Sequence, residues 1–288
     1  MFFSICIPTY NRAKYLIRSL ESLQNQSFED FEVLVVDDGS VDNTQQIVMQ
    51  FKDNRFRYIK KKNGGKHSAL NVGVQEAKGL FFVVLDSDDC LKPNALKKMY
   101  DIWNHACDKN KLCGVMGRCS ENDKMIGIPF EKNIMSYIEF HFGLNGGKYR
   151  DCCECVRLDL IKPYKWPENP HCKFVPEAYV YDKIGLRYSL VCTNEVFAEK
   201  EYLPTGITKN KKDFFEKNAI GYLFDIVDKI DNLFPNVSIR LKFRVVIWWK
   251  YWKLIKLDEN SFGPRCKHIS FLGYLVKFVK PFLDVVKG

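Results

Sequence analysis

An unbroken apolar run, Leu80-Phe81-Phe82-Val83-Val84-Leu85, passes directly into Asp86-Ser87-Asp88-Asp89. Six apolar residues without polar alternation predict a strand buried on both faces, as found inside a parallel sheet. Ligands of open α/β sheets bind at the carboxyl ends of strands. This run therefore delivers three carboxylates to a ligand-binding edge. Carboxylates packed this closely repel unless something cationic neutralises them. A divalent metal carrying phosphate oxygens would do so. The competing reading is a solvated acidic turn ahead of a helix beginning at Pro93.

The surrounding sequence favours the ligand-binding edge. Residues 3–7 read as a short strand stopped by Pro8, and Leu16, Leu20 and Leu23 recur at helical spacing. Residues 31–36 form a second apolar strand ending in Asp37-Asp38-Gly39-Ser40. A helix opens at Asp42-Asn43-Thr44 and a third strand spans 55–60. Asn63-Gly64-Gly65 is a turn signal before a helix over 67–77. The run at 80–85 follows, then a helix over 93–105 and a strand over 112–117. This β-α alternation predicts a Rossmann-like, doubly wound, mostly parallel α/β sheet with right-handed crossovers. Residues 120–210 are irregular, and short strands and loops at the sheet edge are expected there. The chain divides into a domain at 1–215, with halves 1–118 and 119–215, and a helical, basic, aromatic-rich extension at 216–288.

In a parallel sheet, the ends of the first, second and fourth strands share one edge. That edge collects the ring of Tyr10, the hydrogen-bonding groups of Thr9 and Asp38, and Asp88 as a metal ligand. These parts suit a nucleotide diphosphate held through a bridging metal. No GxGxxG follows the first strand and no P-loop is present. The segments Ile5-Cys6-Ile7-Pro8-Thr9-Tyr10-Asn11-Arg12, Val35-Val36-Asp37-Asp38-Gly39-Ser40, Asn63-Gly64-Gly65-Lys66 and Leu85-Asp86-Ser87-Asp88-Asp89 occur in that order. Together they resemble the family 2 glycosyltransferases of GT-A fold, over residues 3 to about 110. The resemblance implies transfer of a sugar from a nucleotide-diphosphate donor with inversion at the anomeric carbon. It implies donor contacts from Pro8, Thr9, Tyr10, Arg12, Asp37 and Asp38, joined by Lys66, Asp86 and Ser87. Asp88 would ligate Mg²⁺ or Mn²⁺, with Asp89 as a supporting acid or helix cap. Many members carry Arg where this chain has Leu70, and Lys66 is the substitute cation.

Displacement at an anomeric carbon needs a base for the acceptor hydroxyl. The segment from Phe174 to Asp182 resembles the acceptor-side segment of the family, where a Glu-Asp pair is common. Here the pair is Glu177-Ala178. Glu177 is the first candidate base and Asp182 the second, and capping of the helix after Pro176 is the alternative for Glu177. The segment at 201–208 looks like the family's loop near the donor site.

Eleven cysteines, with no basic segment ahead of residues 2–7, lead to the expectation of free thiols, no signal peptide and a cytoplasmic setting. Cys152 and Cys155 have C-x₂-C spacing without a second such pair, so structural thiols are expected, with Cys153 and Cys155 sharing one strand face. Trp166 is expected to pack. Of the net charge of +9, residues 240–288 carry +8, from eleven basic and three acidic residues. A charged tail on a near-neutral domain argues against a nucleic-acid partner. Leu241, Val245, Trp248, Tyr251, Trp252 and Ile255 share one helical arc beside a basic one. That pattern predicts peripheral contact of residues 239–288 with the inner face of the cell membrane, and 271–286 repeats it. Packing of the helix on the domain is the alternative. A lipid-linked or glycan acceptor for a cell-surface polysaccharide fits this placement. A nucleotidyltransferase, or a non-catalytic sugar- or lipid-binding module, would be the rival functions.

Overall fold

Phe3–Thr9 (β1) is buried along its whole length, and so is Phe31–Asp37 (β2). The two pair in parallel, Phe3 beside Phe31 through Thr9 beside Asp37. Phe56–Lys60 (β3) extends the sheet beyond β2, and Phe81–Val84 (β4) pairs in parallel with β1 on its other side. The computed structural model describes residues 1–143, 145, 147–202, 211–239, 241–257 and 264–265.

The remaining strands are Cys90–Leu91 (β5), Leu112–Glu121 (β6), Lys124–Met125 (β7), Ile134–Ser136 (β8), Cys152–Arg157 (β9) and Ser189–Glu199 (β10). Sheet order is β3-β2-β1-β4-β9-β6-β10-β5. The irregular middle of the sequence is therefore not confined to the sheet edge. β9 runs antiparallel in the centre, between β4 and β6. Its six residues give a weak strand signal, and pairing along both its edges stabilises it.

The side-chain alternation of the strands separates two cores. Phe3, Ile5, Ile7, Phe81 and Val83 face one side, with Leu16, Leu20 and Leu23 of Ala13–Gln24 (α1). Thr44–Gln50 (α2) adds Val48 to that side. Cys6, Leu34, Val36 and Phe82 face the other side, with Ala69, Leu70 and Val74 of Lys66–Glu76 (α3). Ala95–His105 (α4) starts two residues after Pro93, behind Asn94 in the left-handed region (φ 61°). Cys153 and Cys155 share the α1 side, and every cysteine among the described residues is free. Trp166 is fully buried in the α3-side core.

Tyr137–Phe142 (α5), Leu158–Ile161 (α6) and Ala178–Gly185 (α7) cover the second face. Lys211–Lys217 (α8), Ala219–Asp228 (α9), a π-type turn at Lys229–Leu233 and Leu241–Leu257 (α10) follow. α9 and α10 share a third core containing Leu223, Ile226, Trp248, Tyr251 and Leu254. Trp248 and Tyr251, expected on a lipid-facing arc, are buried there. No helix among the described residues is long and apolar enough to cross a membrane. Residues 203–208 and 271–286, singled out in the sequence, lie outside the described residues.

Candidate active site

The carboxyl ends of β1, β2 and β4 open into a cavity of about 730 Å³. The β1 end is fixed by a crossed pair of hydrogen bonds to the loop after β2. Asn11 N–H donates to Ser40 Oγ at 2.9 Å, and Val41 N–H donates to Asn11 Oδ1 at 2.9 Å. This holds Pro8, Thr9, Tyr10 and Arg12 on the cavity wall. Tyr10 is exposed, whereas Thr9 is buried and its hydroxyl has no partner among the described residues.

Asp37 and Asp38 part company. Asp37 is fully buried and does not line the cavity. It accepts from Ser40 N–H at 2.7 Å and from the Tyr58 hydroxyl. Its place is therefore under the loop, away from the expected donor contact. Asp38 lines the cavity and accepts from Lys61 Nζ (2.7 Å), Gly64 N–H (2.8 Å) and Gly65 N–H (2.6 Å). Gly65 sits at φ 95°, and a Cβ there would lie 2.0 Å from the Lys173 carbonyl oxygen. Only glycine lets the chain pass here and start α3 at Lys66.

Lys66 binds two acids from different halves of the chain. Its Nζ pairs with Asp86 Oδ1 and lies 2.8 Å from Glu177 Oε1. Burial pulls the ammonium down, but Asp86 and Glu177 outweigh it and hold Lys66 charged, above its ordinary value. Glu177 occupies the N-cap position of α7 without a side-chain capping bond. Lys200, just after β10, pairs with Asp89 and lies 3.5 Å from Asp86 Oδ2. Asp89 thus neither caps α4 nor stands free.

The acid cluster is consequently neutralised in part by two lysines, and a metal is not its only counter-charge. Asp88 differs from its neighbours. It lines the cavity, makes no ion pair among the described residues, and has its carboxyl raised by burial and then by Asp86. No set of three or more His, Cys, Asp or Glu side chains able to hold a metal occurs among the described residues. Asp88 offers the cavity one hard oxygen donor group, a type that suits a hard cation. Cys152 of the C-x₂-C pair meets Arg118 Nη1 at 3.1 Å.

Asp182 does not line the cavity. Its carboxylate is buried, 2.6 Å from His141 Nδ1 and 3.2 Å from Lys229 Nζ. That corrects its candidacy as a base in direct contact with substrate. Ser87 lines the cavity with Asp86.

The cavity is also lined by polar residues that escape the sequence reading, among them Tyr137, His141, Arg150, Asp151, Glu154 and Lys200. The Glu154 carboxyl is pushed up to about 8 by burial, with Glu177 adding to the shift. A signal for it exists, because a strand that buries Cys153 and Cys155 on one face must turn Glu154 to the other. For Lys200 and His141 no local signal exists.

A family model described as Glycosyl transferase family 2 matches residues 4–158. The minor teichoic acid biosynthesis protein GgaA of Bacillus subtilis is 29% identical over 277 residues, covering 85% of this chain and 59% of GgaA. A chondroitin synthase of Escherichia coli is 44% identical over 100 residues, covering 34% of this chain and 15% of its own length. The chain thus spans less than two thirds of these relatives. Among solved structures, S. aureus TarS 1–349 in complex with UDP-GlcNAc aligns with TM-score 0.59 and 23% identity, over 91% of this chain and 74% of that one. The mannosyltransferase PcManGT of Pyrobaculum calidifontis, in complex with GDP-Man and Mn²⁺, aligns with TM-score 0.57 and 14% identity, over 98% and 80%. These two share the fold.

Proposed function

The chain belongs to the family 2 glycosyl transferases, and we propose that it moves a sugar from a nucleotide-diphosphate donor to a hydroxyl of a glycan or lipid-linked acceptor, with inversion, in cell-surface polysaccharide synthesis. The observation that carries this reading is one cavity lined by Thr9, Tyr10, Asp38, Lys66, Asp88 and Glu177, drawn from both halves of the domain.

Donor recognition falls to the first half. A carboxylate offers about four acceptor sites, and Asp38 uses three of them on the loop between β3 and α3. The fourth can take a base N–H, while exposed Tyr10 offers a face for stacking. Lys66 and Arg12 supply positive charge for the diphosphate. A Mg²⁺ or Mn²⁺ ion held by Asp88 would offset charge on the departing diphosphate.

Chemistry needs one displacement. The acceptor oxygen bonds to the anomeric carbon as the bond from that carbon to the diphosphate oxygen breaks. The hydroxyl proton passes to Glu177, and the electron pair leaves with the diphosphate. Lys66, between Asp86 and Glu177, ties the donor side to the acceptor side and holds the Glu177 carboxylate in place.

The test is donor turnover and thermal shift with UDP-, GDP-, dTDP- and CMP-sugars, with and without Mn²⁺. One class should raise Tm and be consumed. Asp88→Ala should abolish the added effect of Mn²⁺ while leaving the free nucleotide's own shift, and a surviving Mn²⁺ response would remove Asp88 from the metal role.

We also propose peripheral membrane contact through residues 239–288, which carry eleven basic residues. The whole protein should sediment with phosphatidylglycerol vesicles at low salt and be released by about 0.5 M NaCl, where screening is nearly complete. Equal sedimentation with neutral phosphatidylcholine vesicles would refute a charge-driven contact.

A further inference from the structure

The acceptor side of the cavity holds a second polar arrangement, separate from Glu177. His141 and Tyr137 lie one turn apart on α5, and both line the cavity. Their rings stack at 6.2 Å with 27° between planes. Tyr137 also stacks on Tyr181 of α7 at 5.0 Å and 13°. Both rings are thus fixed by packing.

Their hydrogen-bonding states follow from their surroundings. Burial pushes the Asp182 carboxyl up, but His141 and Lys229 outweigh it, so the group is held below its ordinary range and is an acceptor only. His141 Nδ1 must therefore carry the hydrogen that bridges the 2.6 Å to Asp182. Nε2, the other polar atom of the ring, has no partner among the described residues. Asp182 is itself anchored by Lys229, which also pairs with Asp225. The Tyr137 hydroxyl is buried and has no hydrogen-bond partner among the described residues. A buried hydroxyl without a partner is unfavourable, a deficit that a ligand group can remove. Phe140 and Phe174 supply apolar wall to the same cavity.

We infer that His141 and Tyr137 form the acceptor subsite and engage hydroxyls of a sugar, with Asp182 as the positioning residue that fixes the imidazole. This rests on the transferase reading above. Sugar hydroxyls both donate and accept, so they satisfy Nε2 and the tyrosine hydroxyl together.

The test measures donor consumption by the full chain in water alone, then with p-nitrophenyl glycosides of glucose, galactose, N-acetylglucosamine and N-acetylgalactosamine, and with sn-glycerol 3-phosphate. At least one glycoside should accelerate consumption over hydrolysis. His141→Asn keeps a donor for Asp182 but removes the cavity-facing nitrogen. It should raise the glycoside KM about tenfold, the effect of one good hydrogen bond, with donor KM and hydrolysis within about twofold. Tyr137→Phe should raise the same KM with Tm retained. His141→Gln, whose amide reaches the Nε2 position, should recover part of the loss. An unchanged glycoside KM in His141→Asn, a parallel fall in donor hydrolysis, or acceleration by glycerol phosphate alone would each overturn the inference. Failure of every donor to be consumed would instead overturn the transferase reading, and the subsite with it.

Discussion

Glu177→Gln is expected to lower sugar transfer by about 10²–10⁴-fold, the usual contribution of a positioned general base. Nucleotide binding should be retained. The change is nearly isosteric and leaves Lys66 paired with Asp86, so the donor side keeps its main ion pair. What is lost is the only cavity-lining carboxylate that belongs to the acceptor-facing segment of residues 174–182. The measurement is kcat for transfer beside nucleotide affinity by calorimetry. Equal losses in both would mean that Glu177 serves only to hold Lys66. Unchanged kcat would remove it from the chemistry altogether.

Asp38→Ala is expected to destabilise the fold by about 3–5 kcal/mol, the range for deleting one partner of a buried ion pair. The carboxylate is 3% exposed and meets Lys61 and two backbone amides. Its removal leaves the Gly64 and Gly65 amides without acceptors at the point where the chain passes closest to Lys173. Because Lys66 follows directly, donor affinity should fall as well. Asp38→Asn keeps one oxygen acceptor and should lose about half as much stability. Urea unfolding followed by circular dichroism reads both. An unmoved midpoint in the alanine variant would show that the loop is held by other contacts.

Much of the first half is legible in sequence because its signals are local. The strand at 81–84 is an apolar run, and α1 repeats leucines at helical spacing. Asp88, Thr9 and Tyr10 reach the cavity because strand ends in a parallel sheet share an edge, which topology alone guarantees. The second half is less legible for a matching reason. β9 is six residues with three cysteines, and its central place depends on pairing with β4 and β6 rather than on its own propensity. The basic aromatic arc of α10 has the amphipathic pattern of a membrane-surface helix, yet Trp248 and Tyr251 are buried against α9. An apolar face reads alike in sequence whether lipid or protein covers it.

The acid run after the strand at 81–84 also separates what each level decides. The sequence alone determines that three carboxylates emerge at the end of a buried strand, beside Thr9, Tyr10 and Asp38. Chain direction and residue periodicity suffice for that. Tertiary structure decides which carboxylates are already spent. Lys66 and Lys200 are 20 and 111 residues away from Asp86 and Asp89 along the chain, and they meet the cluster only after folding. They leave Asp88 as the acid of this cluster without an ion pair among the described residues. In the same way Asp37 turns under its loop, and Asp182 lies behind His141. Ionic partners separated by such distances leave no periodic trace, because charge pairing is set by position in space and not by spacing along the chain.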